Sequence, residues 1–305
     1  MLVVVAIGDN ALLLRGQVST AANQRANVAV VAKALAKIVR AGHQLVVTHG
    51  NGPQIGLSAP DGAAQAYPLD LLRAKTVGMI GYIIEQELEN ALDHERAVAT
   101  LLTQIVVDPE DPAFGNPTRF VGPAYGRDAA ETLARATGWS VAQDGDTWRR
   151  VVPSPAPQDI PDLRVIKLLL DQDVIVICGG GGGIPVLRRP DGSLVGIEAV
   201  IDKDAASALL AMELGAGALL LLTDVDAVYR DFGTKDQAPI ASLTPGEAFA
   251  LDLPASSMGP KMVAAAGFAA YGGLAGIGRL DQAIEILEGH AGTRVIPVSP
   301  DEEGL

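Results

Sequence analysis

Residues 2–10 read LVVVAIGDN, an uninterrupted apolar run that ends abruptly at Gly8, Asp9 and Asn10. Short apolar runs that end in a turn are typical of strands buried on both faces of a parallel sheet. Similar runs recur at 44–48, 174–178 and 218–223, and helical periodicity separates them, first over 23–41. Strands that alternate with helices predict an α/β fold with an open, mostly parallel sheet sandwiched by helices.

The rest of the chain divides into further regular elements and one region where the alternation of strands and helices stops. A helix is expected over 69–92, interrupted or bent at Gly78 and Gly81, and single strands are expected over 97–107 and 293–298. Between 111 and 157 the alternation stops, prolines accumulate, and DGDTWRRVV predicts a hairpin. We therefore expect an N-terminal lobe (1–214) with a small protruding β-rich subdomain at about 113–152, and a C-terminal lobe (215–305).

Composition excludes several classes of protein. Hydrophobic residues make up 49% of the chain and charged residues 19%, which excludes intrinsic disorder. The net charge of −13 is the opposite of what binding to nucleic acid or to an anionic membrane requires. The single cysteine, Cys178, cannot form an internal disulfide. The uncharged apolar run over 262–278 falls short of the ~20 residues of a membrane span and is rich in glycine and alanine. We expect a soluble, cytoplasmic protein that binds neither nucleic acid nor membrane.

Four polar or glycine-rich turns each follow a predicted strand. They are GDN at 8–10, HGNG at 49–52, CGGGGG at 178–183 and TDVD at 223–226. The carboxyl ends of parallel strands meet at one edge, where backbone amides cradle anions. Gly8-Asp9-Asn10 alone is better explained as an ordinary tight turn, whereas the five-glycine run favours a ligand role because its flexibility costs folding entropy. His49 is better explained as a structural or positioning residue than as a base. Together the turns indicate a protein that handles an anion, most plausibly phosphate.

Two lysines begin predicted helices, where the helix dipole disfavours a positive charge. Lys203 lies in VIDKDAAS and Lys261 in SMGPKM. A bound phosphate would reverse that preference, whereas the alternative is an exposed lysine in a first turn. Asp202 and Asp204 are equally compatible with ordinary helix capping. Neither a P-loop nor a dinucleotide fingerprint is present, which disfavours a dinucleotide oxidoreductase, and histidine spacing assigns no residue to a metal.

Ordered motifs along almost the entire chain resemble those of the carbamate kinases, within the amino acid kinase superfamily. These motifs are THGNGPQIG (48–56), MIGYIIEQEL (79–88), LLTQIVVDPEDPAF (101–114), WRRVVPSPAP (148–157), CGGGGGIPV (178–186), GIEAVIDKDAASALLA (196–211), LLTDVDAVY (221–229), SMGPK (257–261) and GTR (292–294). The resemblance implies a homodimer that transfers the terminal phosphoryl group reversibly between ATP and carbamate. It implies Mg²⁺ held mainly by the nucleotide phosphates, and net flux from carbamoyl phosphate to ATP in arginine or related nitrogen catabolism.

The resemblance also implies roles for individual residues. Lys203 and Lys261 would neutralise the migrating phosphoryl group, Asp204 would orient them, and Arg119 occupies the place of a further catalytic cation. The carbamate and phosphate pocket would be lined by Gly8, Asp9, Asn10, Gly50, Asn51, Gly52, Gly180, Gly181 and Gly182. The nucleotide would contact Thr223, Asp224, Val225, Asp226, Tyr229, Met258 and Lys261.

Two residues depart from the pattern of that family. The family reads Gly-Gly-Asn where this chain has Gly8-Asp9-Asn10, and Asn-Pro-Thr-Lys where this chain has Arg119. A carboxylate ~5 Å from a phosphate charge costs about 3 kcal/mol at an effective dielectric constant of ~20. Arginine keeps the charge of lysine but changes reach and geometry. Our hypothesis is that Arg119 pairs with Asp9 when the subdomain closes, or that Asp9 turns away from the pocket.

Two alternative functions stay open at this point. A related kinase for another small carboxylate or phosphonate would have the same nucleotide-binding lobe. A catalytically impaired sensor of nucleotide or phosphate would bind ligand without transferring phosphate, and the departures at Asp9 and Arg119 are its only support.

Overall fold

A computed structural model describes residues 1–14, 16–18, 20–51, 67–254 and 258–298. Its strands are β1 (Leu2–Ile7), β2 (Gln44–His49), β3 (Val98–Thr100), β4 (Gln104–Val107), β5 (Arg119–Tyr125), β6 (Ser140–Asp144), β7 (Thr147–Val152), β8 (Pro157–Asp159), β9 (Ile175–Ile177), β10 (Ile184–Arg188), β11 (Leu194–Gly196), β12 (Ala218–Thr223), β13 (Val228–Arg230), β14 (Ala238–Ile240), β15 (Ser242–Leu243), β16 (Leu274–Arg279) and β17 (Thr293–Val295). Its helices are α1 (Asp9–Leu12), α2 (Ala21–Arg40), α3 (Leu69–Ala91), α4 (Arg127–Thr137), α5 (Leu163–Asp171), α6 (Lys203–Glu213), α7 (Pro245–Phe249), α8 (Met258–Ala270) and α9 (Ala283–Glu288).

The main sheet has eight strands in the order β15-β17-β16-β12-β1-β2-β9-β3. Neighbouring strands are parallel throughout, except that β17 runs antiparallel to β16. Strand β1 lies between β12 and β2, with Val3 in register with Ala218 on one side and Leu45 on the other. The predicted open, mostly parallel sheet is confirmed.

Alternation along β1 divides the core into two layers. Val3, Val5 and Ile7 pack into a cluster with residues of α2, α3 and α9. Val4 and Ala6 point to the opposite face and pack with residues of α5, α6 and α8. All five side chains are fully buried, as expected for a central parallel strand with helices on both faces.

The inserted subdomain is a three-stranded antiparallel sheet in the order β5-β7-β6, with α4 beside it. The predicted hairpin is β6–β7, in which Asp144 pairs with Thr147 across a two-residue turn at Gly145 and Asp146, with Gly145 at a φ of 59°. Next to the subdomain, β11-β10-β4-β8 form a separate four-stranded sheet. The protruding β-rich insertion is therefore confirmed, with a helix that the sequence analysis did not predict.

Two expectations for secondary structure were wrong. The single strand expected over 97–107 is two strands in different sheets, because the chain turns away after Leu101, whose N–H bonds to the Ile177 carbonyl at 2.8 Å. Helix α3 continues without a break through Gly78 and Gly81. A Cβ at Gly81 would overlap with the side chain of Thr100, so this glycine allows α3 to approach β3 closely.

The two predicted lobes share one sheet, since β12 pairs directly with β1. The boundary expected between residues 214 and 215 thus falls within a continuous sheet, and the division into lobes stays a prediction. None of the helices in the described ranges has the length and apolar character needed to cross a membrane.

Candidate active site

The turns after the central strands meet at the carboxyl edge of the main sheet. Gly8 donates its N–H to the Leu222 carbonyl at 3.0 Å, and Gly50 donates to the Ile7 carbonyl at 2.9 Å. A Cβ at Gly8 would lie 3.1 Å from the Leu222 oxygen, which explains why glycine suits this position. The loops that follow β1, β2 and β12 therefore start side by side.

Asn10 connects the first of these loops to the last. Its amide nitrogen donates to Asp224 Oδ2 at 2.9 Å, and the Thr223 hydroxyl donates to Asp224 Oδ1 at 3.1 Å. The loop after β1, predicted to bind the acceptor, is thereby linked to the loop after β12, predicted to bind nucleotide.

Lys203 and Lys261 converge on one buried carboxylate, that of Asp204. Lys203 opens α6 and Lys261 lies in the first turn of α8; Lys261 Nζ is 2.8 Å from Asp204 Oδ2, and Lys203 Nζ bonds to Oδ1. Burial opposes ionisation of Asp204, but the two ammonium charges and their hydrogen bonds outweigh it and lower its pKa to about 2. Helix α6 is capped by Asp202, which accepts from the N–H groups of Asp204 and Ala205.

The five-glycine segment passes through a space that side chains would block. A Cβ at Gly180 would lie 2.5 Å from His49 Nε2, and a Cβ at Gly181 would lie 2.8 Å from Asn51 Cβ. Gly182 has a φ of 87°, and a Cβ there would overlap with the Ile201 carbonyl. We refer to Asp9, His49, Asn51, Arg73 and Gly180–Gly182 as the inner cluster.

His49 is buried within this cluster and bonded to the backbone beside it. Because the Gly50 carbonyl can only accept, Nδ1 must carry the proton of the 2.8 Å bond between them. Burial lowers the pKa of His49 to about 4, although the Gly50 hydrogen bond and the charge of Asp9 act in the opposite direction. The imidazole is therefore neutral at physiological pH, and its role as a structural or positioning residue stays a prediction.

Arg73 was missed by the sequence analysis. It projects from α3, is 1% exposed, and donates from Nη2 to the Gly181 carbonyl and, at 3.2 Å, to the Gly183 carbonyl. Burial and the charge of Arg119 together lower the pKa of Arg73 to about 10, against the opposing effect of Asp9, so the guanidinium stays charged at neutral pH. The sequence could have indicated the burial of Arg73, because it is spaced four residues from Leu69 and from Val77, both buried, and so lies on the inward face of α3.

The two departures from the family pattern, Asp9 and Arg119, make different contacts. The Asp9 carboxylate packs against Gly50, where a Cβ would lie 2.7 Å from Asp9 Cγ. Arg119 Nη1 is 3.7 Å from Asp202 Oδ2, an ion pair that joins the start of β5 to the cap of α6. The proposed pairing of Arg119 with Asp9 stays a prediction. Gly52 lies outside the described residues.

Five of the residues expected to bind nucleotide lie in one partly exposed segment, which we call the acidic loop (residues 223–229). Asp224 and Asp226 are exposed, and the Tyr229 hydroxyl donates to Asp226 Oδ1 at 3.0 Å. That hydrogen bond is the main cause of the raised pKa of Tyr229. Val225 lies in the same loop, and Met258 begins α8, one turn before Lys261.

Glycine-rich turns and a carboxylate-bridged lysine pair at the carboxyl edge of an open parallel sheet define a phosphate-handling α/β protein. The model of the amino acid kinase family matches residues 1–276. The chain is 50% identical over 300 residues to the carbamate kinase of Haemophilus influenzae, covering 97% of this chain and 96% of that protein. It is 43% identical over 311 residues to the carbamate kinase of Pyrococcus furiosus, covering 97% and 99%.

The similarity extends to solved structures. The carbamate kinase from Giardia lamblia bound to AMP-PNP superposes with a TM-score of 0.91 at 39% identity, over 97% of this chain and 98% of that one. The chain belongs to the amino acid kinase family and, within that family, to the carbamate kinases.

Proposed function

We propose that this chain transfers a phosphoryl group reversibly between ATP and carbamate, forming ATP from ADP and carbamoyl phosphate in the catabolic direction. The carbamate so formed breaks down to ammonia and CO₂. The observation that carries the proposal is the convergence of Lys203 and Lys261 on buried Asp204, in a chain similar along almost its full length to carbamate kinases.

The reaction joins two anions, so its main requirement is positive charge at the transferred group. Phosphoryl transfer needs little covalent work from the protein, and positioning with charge stabilisation supplies most of the rate. Lys203 and Lys261 are the catalytic residues in this proposal, and Asp204 holds both ammonium groups beside each other. No protein nucleophile is required, because the oxygen of carbamate or of ADP attacks phosphorus directly.

The acceptor would lie on the glycine-rich side of the lysine pair. Gly8, Asp9, Asn10, Gly50, Asn51, Gly52 and Gly180–Gly182 are the proposed lining of this pocket. Backbone amides at such glycines approach anionic oxygens closely. Arg119 is the proposed third catalytic cation; its ion pair with Asp202 keeps the guanidinium at the mouth of the site.

The nucleotide would lie along the acidic loop, with Thr223, Asp224, Val225, Asp226, Tyr229, Met258 and Lys261 around it. When bound with the nucleotide, Mg²⁺ would neutralise part of the charge of its phosphate groups. Mg²⁺ at nucleotide sites is usually held mainly by phosphate oxygens and water, and this is the mode proposed here. Within the described ranges no group of three or more histidine, cysteine or acidic side chains is arranged to hold a metal ion.

We propose further that the protein is a cytoplasmic homodimer. Helix α3 presents Leu71, Met79 and Tyr82 to the surface, each between 43% and 53% exposed in the single chain. An apolar row of this kind on a charged protein is typical of a protein–protein interface. Light scattering coupled to gel filtration would measure the mass directly, and a monomer would contradict this part of the proposal.

The decisive experiment is coupled formation of ATP from ADP, Mg²⁺ and carbamoyl phosphate. Turnover is expected with carbamoyl phosphate and not with acetyl phosphate or a phosphonate analogue. Preference for another phosphorylated acid would favour the related kinase, and nucleotide binding without any transfer would favour the sensor. Binding of a nicotinamide dinucleotide would favour the oxidoreductase.

A further inference from the structure

Arg73 is a buried cation whose hydrogen bonds stop at neutral groups. Its Nε and Nη2 donate to the carbonyl oxygens of Gly181 and Gly183, which are neutral acceptors and do not cancel its charge. A side chain that is 1% exposed receives little screening from water. Burying a charge in this way is costly unless another charge stands nearby.

Asp9 stands at the other end of a continuous series of contacts. Its carboxylate lies against Gly50, Gly50 is followed by Asn51, and Asn51 lies against Gly181. A Cβ at Gly181 would lie 3.0 Å from Arg73 Nη2. Asp9 and Arg73 therefore lie at the two ends of one series of packed residues, which belongs to the lining of the proposed acceptor pocket.

A carboxylate beside the proposed acceptor pocket repels an anionic acceptor and a phosphoryl group. The charge of Arg73 has the opposite sign and offsets part of that repulsion. The hydrogen bonds of Arg73 to the Gly181 and Gly183 carbonyls also fix the five-glycine segment.

We propose that Arg73 is a positioning residue of the acceptor pocket, coupled electrostatically to Asp9, so that the cation offsets the carboxylate and fixes the five-glycine segment. This inference rests on the proposed function and identifies how this chain tolerates an acidic residue in that pocket. In this proposal Arg73, and not Arg119 alone, compensates the negative charge of Asp9.

A double-mutant cycle tests the coupling. Arg73→Met removes the charge at similar length, Asp9→Gly removes the carboxylate, and the double variant removes both. Arg73→Met is expected to raise the KM for carbamoyl phosphate at least tenfold, because Asp9 then repels the substrate. In the Asp9→Gly background the same change should raise KM less than threefold, and the KM for ADP should stay within twofold in all variants.

Two further variants separate charge from shape. Arg73→Lys keeps the charge but loses the paired bonds to Gly181 and Gly183, so its KM should fall between wild type and Arg73→Met. Arg188→Met, which removes an exposed arginine paired with Asp159, is the matched control and should combine with Asp9→Gly without coupling. Should Arg73→Met not fold, the conservative cycle of Arg73→Lys and Asp9→Asn replaces it, with the same sign of coupling.

The proposal is overturned if the effects of the two substitutions on KM simply multiply, or if only thermal stability shows coupling. Binding of inorganic phosphate, measured by calorimetry on the same variants, requires no turnover. If phosphate affinity shows the same coupling between Arg73 and Asp9 across the variants, while the wild-type protein forms no ATP, the proposed function is contradicted and the role of Arg73 is supported.

Discussion

The inner cluster and the acidic loop lie at the same edge of the sheet, yet their charged groups are held in opposite ways. In the inner cluster, Arg73 and His49 are 1% exposed and the glycines admit no side chain. In the acidic loop, Asp224 and Asp226 are exposed and bond to their neighbours through flexible side chains. Charges interact strongly where water is excluded and weakly where it is not.

This difference matches what each proposed ligand needs. Carbamate is small and anionic, so a pocket for it must fix charge and shape within a short distance. A nucleotide is large and makes many contacts, so its binding tolerates changes in any one of them. Substitutions should therefore have larger effects in and around the buried part than in the acidic loop.

Loss of Lys261 should have the largest effect. Lys261→Ala removes one of the two ammonium groups held by Asp204, and we expect kcat to fall 10²- to 10³-fold, the usual range for one preorganised charge donor. Thermal unfolding should change much less than activity. Lys33→Ala, at an exposed lysine of α2, is the control. Comparable losses of kcat in both variants would contradict a catalytic role of the lysine pair.

Gly182→Ala should destabilise the fold strongly. The new methyl group would overlap with the Ile201 carbonyl at a φ of 87°, and backbone atoms cannot move aside. Gly192→Ala is matched to it, since Gly192 has a φ of 84° and open space around it. We expect Gly182→Ala to cost at least about 2 kcal/mol more in urea unfolding. Equal costs would mean that the inner cluster is not tightly packed.

Asp204 predicts a dependence of stability on pH. Its pKa is lowered from 3.8 to about 2, so its ion pairs contribute about 2 kcal/mol above pH 3.8, and this contribution is lost as the pH falls through 2. The unfolding free energy of wild type and Asp204→Asn should therefore converge between pH 5 and pH 2. A difference in unfolding free energy that stays constant across that range would show that the two lysines do not lower the pKa of Asp204.

The smallest effect is expected in the acidic loop. Asp226→Asn weakens the acceptor of the Tyr229 hydrogen bond, so the raised pKa of Tyr229 should return toward its usual value in an ultraviolet titration, with Tyr229→Phe as reference. The KM for ADP should rise no more than about threefold, because the site is exposed and screened. A loss of activity as large as that of Lys261→Ala would show that the acidic loop is as sensitive to substitution as the buried part of the site.

The sequence predicted much of the order of elements and the location of the candidate site. The apolar runs at β1, β2, β9 and β12 indicated the sheet because a buried parallel strand needs an apolar side chain on both faces. The residues after those strands, and the lysines in the first turns of α6 and α8, could be proposed for the site because strand ends and helix starts have local signatures. The single strand expected over 97–107 was wrong because a change of sheet at Leu101 has no such signature.

Only the tertiary structure decided how the charges compensate one another. Asp204 lies between two lysines that are 58 residues apart along the chain, and Arg119 reaches the cap of α6 from the inserted subdomain. The environment of Arg73 is also decided by tertiary packing, since its burial and its distance from Asp9 depend on how α3 packs against the glycine segment. Local propensity acts over a few residues, whereas electrostatic energy depends on separation in space and on the exclusion of water.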